Sequence, residues 1–180
     1  MPGRRTVLVV LVLVVVLVVA GAGLTLRGAT PEGLAEWEGE LAGQAVRFAY
    51  PEGWAAPSPD GRPSKVVTKG PRIDGIAPMV GALADPGPGP SFEASYGVSK
   101  ASSVTQLGGR VVAEEEVDVP GAQRAMRLDI EYPNGVGGQD QVAGLFAKGA
   151  DGFVIFAVGT ASPPRTLDVE AILDSLSLRG

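Results

Sequence analysis

Six consecutive apolar residues, Phe153-Val-Ile-Phe-Ala-Val158, follow Gly152 and present no polar side chain on either alternating face. A strand of this kind predicts a central position in a sheet, covered on both sides. The cover has to come from elsewhere in the chain, and two segments have the right pattern. Val169, Ile172, Leu173 and Leu176 recur at i, i+3, i+4 and i+7, which predicts an amphipathic helix closing the fold. Ser91 stands before a run carrying Phe92, Ala94, Val98, Ala101 and Val104, which predicts a serine-capped helix.

The other strands are read from alternation and turn chemistry. Val46 to Tyr50 alternates and then breaks at the turn Pro51-Glu52-Gly53-Trp54, with Trp54 expected in the core. Lys65 to Thr68 and Met79 to Ala84 are further strands, and Asp85-Pro-Gly-Pro-Gly-Pro90 is a loop because its prolines remove ladder donors. Asp140 to Lys148 and Phe153 to Thr160 flank the hairpin tip Asp151-Gly152. Arg110 to Val119 and Ala122 to Tyr132 flank Pro120-Gly121. With those two residues as the tip, Glu114 falls opposite Arg127 on a wet face. Glu115 then falls opposite Met126, and Arg124 opposite Val117, on the core face. Two charges on an apolar face predict a diagonal Glu115–Arg124 salt bridge; the alternatives are a bulge at Glu114-Glu115 that turns Glu115 outward, and a polar pocket lined by the pair that binds a ligand.

Arg4 and Arg5 precede an unbroken apolar run from Val7 to Ala20, and nothing charged appears before Arg27. A helix over residues 6–26 would be about 31 Å long, matching a hydrocarbon core of about 30 Å. The arginine pair keeps the N-terminus inside, which puts the rest of the chain outside the cytoplasm in a cell membrane protein of one pass. Two readings stay open. The segment is a permanent anchor, or it is a signal peptide cut near Ala22, since Ala20-Gly21-Ala22 fits a small-residue cleavage site. The expected organisation is 1–27 anchor or signal, 28–43 acidic linker and 44–180 extracytoplasmic domain. Within the linker, Thr30-Pro31 starts a short acidic helix on which Leu34, Trp37 and Leu41 share a face, with Trp37 docked on the domain.

The composition excludes several chemistries. The 180 residues include no histidine and no cysteine. Imidazole-based triads are therefore excluded, disulfides and cysteine lipidation cannot occur, and zinc, copper and haem sites lose their usual ligands. Beyond Arg27, twelve basic residues face twenty acidic ones, a net charge of −8 that argues against nucleic acid as a partner. No phosphate-binding loop, nucleophile elbow or spaced calcium loop occurs. No residue is assigned a catalytic, cofactor-binding or metal-binding role, no cofactor is expected, and Glu114 and Glu116 read as a solvated strand face.

Phe48-Ala-Tyr-Pro-Glu-Gly-Trp54, the hairpin with Gly121-Ala-Gln-Arg124, the apolar strand after Gly152 and the ending Ile172-Leu-Asp-Ser-Leu176 together resemble the PsbP-like (Mog/PsbP) fold. Within it the chain is most similar to the LpqN/LpqT-type lipoproteins of actinobacteria, over about residues 43–178. The resemblance implies an α+β chain whose exported part is a single α/β/α sandwich with a largely antiparallel sheet. It also implies a non-catalytic accessory role with an unidentified protein partner. Ala22 stands where the lipoproteins carry their lipidated cysteine, which favours a helical anchor through residues 6–26. Two other function classes stay open: a binding protein for a lipid or cell-wall fragment, which needs a deep apolar pocket, and a carboxylate-based hydrolase, which needs a cleft with convergent acids.

Overall fold

The computed structural model describes residues 33–59, 64–72, 77–86, 91–133, 139–161 and 167–179. The segment at 6–26 and the cleavage point near Ala22 lie outside the described residues. No helix among the described residues is long and apolar enough to cross a membrane.

Among the described residues, ten strands and two helices follow in the order β1 (Leu34–Leu41), β2 (Gln44–Pro51), β3 (Ser58–Pro59), β4 (Lys65–Lys69), β5 (Met79–Pro86), α1 (Phe92–Leu107), β6 (Arg110–Val117), β7 (Arg124–Pro133), β8 (Gln139–Lys148), β9 (Gly152–Ala161), α2 (Val169–Asp174) and β10 (Ser177–Arg179). They build a seven-stranded sheet in the order β3-β4-β5-β9-β8-β7-β6 and a three-stranded sheet in the order β1-β2-β10. Every ladder is antiparallel. Helix α1 carries the chain from β5 to the far edge, and the meander β6-β7-β8-β9 returns to close against β5.

The apolar run at 153–158 is the middle of β9, flanked by β5 and β8. Its alternation separates two cores. Val154, Phe156 and Val158 face the main core with Val46, Phe48, Ile172, Leu173 and Leu176. Phe153 faces the opposite side, where Phe92 and Tyr96 of α1 meet Phe146. The sandwich therefore has α1 on one face, while the other face is covered jointly by the three-stranded sheet and the six-residue helix α2. Asp168 caps α2 through its side chain, which accepts from the Ala171 N–H at 3.1 Å. Just before β10, Ser175 Oγ accepts from the Ala49 N–H at 2.7 Å, satisfying a β2 donor where no strand residue is available.

Several expectations are corrected. The segment 34–41 is a strand, not part of a helical linker, so the folded unit begins before residue 44. The reason lies in its charges: Glu36, Glu38 and Glu40 repeat every second residue, and burial alternates with them. Trp37 docks as expected, 5.1 Å from Phe48 between ring centroids, but from a strand. The loop after β5 starts later than expected, because Asp85 and Pro86 still pair with Phe153 and Gly152. The β8–β9 tip sits one residue earlier than Asp151-Gly152, since the Gly149 N–H donates to the Gly152 carbonyl. On α1, Ser91 caps as expected, yet Val98 is 45% exposed and Tyr96 occupies the buried position.

The β6–β7 register also differs. Glu115 pairs with Arg127, and Glu114 with Leu128, one position away from expectation; only Arg110 and Val111, beyond a bulge at Val112, keep the expected register. Glu114 and Arg127 therefore lie on opposite faces. Pro120-Gly121 is a turn, closed by the Ala122 N–H to the Val119 carbonyl at 3.0 Å, but it is docked rather than free. The Leu178 N–H donates to the Pro120 carbonyl at 2.8 Å, and Val119 is buried. Drawing Val119 into the core takes the chain out of the ladder after Val117, and the pairing re-enters shifted by one.

Candidate functional site

The charged groups that the sequence left on solvated faces tie elements together. Glu114 points toward α1. It accepts from Tyr96 Oη at 3.0 Å and pairs with Lys100. The Lys100 bond, then the Tyr96 bond, holds the Glu114 carboxyl below the usual carboxylate range. Burial, followed by the Glu114 contact, pushes the Tyr96 phenol up. Glu116 accepts from Arg124 Nε at 3.0 Å, while Arg124 Nη1 reaches Glu93 at 2.6 Å and the guanidinium lies 4.7 Å above the Phe92 ring. Glu114 and Glu116 thus fasten α1 to the edge strand β6. The expected Glu115–Arg124 bridge is replaced by this arrangement, because the shifted register puts Glu114 and Glu116 on the α1 face beside Arg124 and leaves Glu115 exposed on the other.

On that other face, Arg127 joins α2 to β7. Its Nη1 and Nη2 reach Glu170 Oε2 and Oε1 at 2.7 Å each, and its Nε and Nη2 also bond Asp129. Asp129 is buried. The Arg127 bond to Glu170 lowers the Glu170 carboxyl. A carboxyl acting as acid near neutral pH has its pKa raised, whereas the shifts at Glu93, Glu114 and Glu170 are all downward. These groups are arranged to stay ionised and to hold structure.

A cavity of about 10 Å³ lies on the α1 side of the large sheet, bordered by Val67, Met79, Leu83, Ile155 and Ala157. That is the space of about one water molecule. Trp54 is core, 9% exposed, with its Nε1 buried and without a hydrogen-bond partner among the described residues.

The remaining surface feature is the outer edge of β1, which the sequence reading missed by taking 28–43 as linker. Ala42 and Gly43, at φ +50° and +89°, form a two-residue hairpin turn of the kind that needs two positive φ values. The turn is closed by Leu41 and Gln44. At the other end of the ladder the Glu52 N–H donates to the Gly33 carbonyl at 3.1 Å. Antiparallel bonding alternates, so the odd-numbered residues of β1 bond to β2. Glu36, Glu38 and Glu40 turn their N–H and C=O groups to the outer edge, where no strand pairs among the described residues. Their side chains share the outer face, where Glu36 pairs with Arg47, and Glu38 with Arg179 at 2.8 Å. On the inner face Trp37 is half-buried and its indole lies over Gly39; a Cβ there would come within 2.6 Å of the ring.

No protein-family model and no curated protein matches the sequence. Solved structures do. LpqN of Mycobacterium tuberculosis, described as involved in cell envelope biogenesis, is similar with a TM-score of 0.58 at 13% identity, over 83% of this chain and 93% of that one. The solution structure of cyanobacterial PsbP from Synechocystis sp. PCC 6803 is similar with a TM-score of 0.54 at 16% identity, over 88% of this chain and 98% of that one. The fold is PsbP-like, with similarity to LpqN, as the motifs around Trp54, Arg124 and Leu176 imply.

Proposed function

We propose that this chain is a non-enzymatic interaction module, tethered through residues 6–26 and facing away from the cytoplasm, that holds a protein partner at the cell envelope. The observation that carries the reading is the fold shared with LpqN, a protein involved in cell envelope biogenesis. The apolar run behind Arg4 and Arg5 supports the tether, and the charge clasps support a rigid body whose ionisable groups are spent on structure. Release after cleavage near Ala22 is the competing form of the same module.

Crosslinking and pull-down of the membrane-embedded full chain tests the reading. A partner recovered reproducibly, and lost when surface residues are changed, is the expected result. Turnover of a substrate by the purified chain would overturn it. The mature mass decides the tether: a chain beginning at Gly23 would replace the anchor with a cleaved signal.

A further inference from the structure

Sheet edges invite pairing with other chains, and folded proteins ordinarily block them. Among the described residues, three of the four sheet edges are blocked. β3 is two residues long and ends in Pro59, β10 has three residues, and β6 is broken by a bulge at Val112. β1 differs. It has eight residues, pairs with β2 without a register break, and contains neither proline nor bulge.

We propose that the outer edge of β1 docks an extended segment with lysine or arginine at alternate positions, which adds to the three-stranded sheet as a fourth strand. The proposal rests on the interaction-module reading and names its surface. Main-chain bonds would come from Glu36, Glu38 and Glu40, whose N–H and C=O groups face the edge. Charge selects the occupant. The same three residues present carboxylates on the outer face, with Glu36 and Glu38 side chains 62% and 57% exposed. Their contacts to Arg47 and Arg179 both use Oε1. Cross-strand opposite charges attract, so a neighbouring strand with basic residues on that face is favoured. Its other face would carry apolar residues beside the half-buried Trp37 and Ala35. A second copy of this chain is disfavoured, because antiparallel pairing of β1 with itself would gather Glu36, Glu38 and Glu40 of both copies on one face.

The test uses the full chain in phospholipid nanodiscs and a labelled peptide, Thr-Lys-Val-Lys-Val-Lys-Val-Thr, against the same peptide with glutamate for lysine. The lysine peptide should bind about tenfold tighter or more, with the gap closing as salt rises. Amide exchange should slow at Glu36, Glu38 and Glu40, and not along β6. The E36Q/E38Q/E40Q variant should lose the preference while keeping its fold. Glu38→Pro removes one edge donor without touching the β1–β2 ladder and should abolish binding; if it does not fold, the glutamine variant still decides. Equal binding of both peptides, or protection on another strand, overturns the proposal. A cellular partner crosslinked through a different surface would also overturn it, yet leave the interaction-module reading standing.

Discussion

Arg127 and Glu170 form a two-pronged pair, with both contacts at 2.7 Å, that fastens helix α2 to strand β7 across the edge of the main core. The two partners are not equal. The Arg127 side chain is 18% exposed and also serves the buried Asp129, whereas Glu170 is 63% exposed. Arg127→Met should therefore destabilise by about 3–5 kcal/mol, because it strands a buried carboxylate. Glu170→Gln should change stability by less than about 1 kcal/mol. Urea midpoints of the two variants check this, and equal losses would show that Asp129 does not depend on Arg127.

The same pair sets a pH dependence. Arg127 depresses the Glu170 carboxyl in the folded state. A depressed carboxyl contributes stability that is complete above its unfolded pKa of about 4.3 and disappears as pH falls through the lower folded value. Glu114, depressed by Lys100 and Tyr96, acts in the same direction. Stability should fall as pH drops below about 4.3. The fall should be shallower in Glu170→Gln, which no longer titrates at that position. Unfolding curves taken at stepped pH give the slopes, and identical slopes would count against the linkage.

Ala42 occupies the left-handed region at φ +50° in the β1–β2 turn, where an L side chain is strained. Ala42→Gly or Ala42→Asn should stabilise the protein by about 1 kcal/mol. Thermal unfolding reads the change directly, and a loss of stability would mean that the turn is not built as described.

Gly121 meets a harder constraint. A Cβ there would lie 1.7 Å from the Leu178 carbonyl oxygen, and its φ is +80°. Gly121→Ala should push β10 off the turn and destabilise by about 2 kcal/mol or more. Faster amide exchange at Leu178, whose N–H bonds Pro120, is the specific signature to look for.

The β6–β7 register has a covalent test, since the chain contains no cysteine to interfere. Cysteines placed at Glu116 and Met126, which are cross-strand partners, should oxidise to a disulfide. Cysteines at Glu115 and Met126 point to opposite faces and should stay reduced. The reverse pattern would restore the register counted from the Pro120-Gly121 tip.

What the sequence determined by itself was whatever depends on local pattern. The apolar strand at 153–158, the Ser91 cap, the turn at Pro51–Trp54 and the hairpin of β8 and β9 all follow from residues close to one another in the chain, and so does the resemblance to a PsbP-like fold. Pairing that depends on distant residues was decided by the tertiary structure. Leu34, Trp37 and Leu41 fit a helical face, yet β2 offers a strand for Trp37 to stack on Phe48, and the period-two glutamates then find Arg47 and Arg179. The Pro120-Gly121 tip is a local turn, but its register was set by Leu178, a residue from the far end of the described chain. The roles of Glu114 and Glu116 needed α1 to be laid over β6 before their partners Lys100, Tyr96 and Arg124 came within reach. Hydrophobic alternation chooses a face only relative to a register, and a register set by long-range docking cannot be counted from the turn beside it.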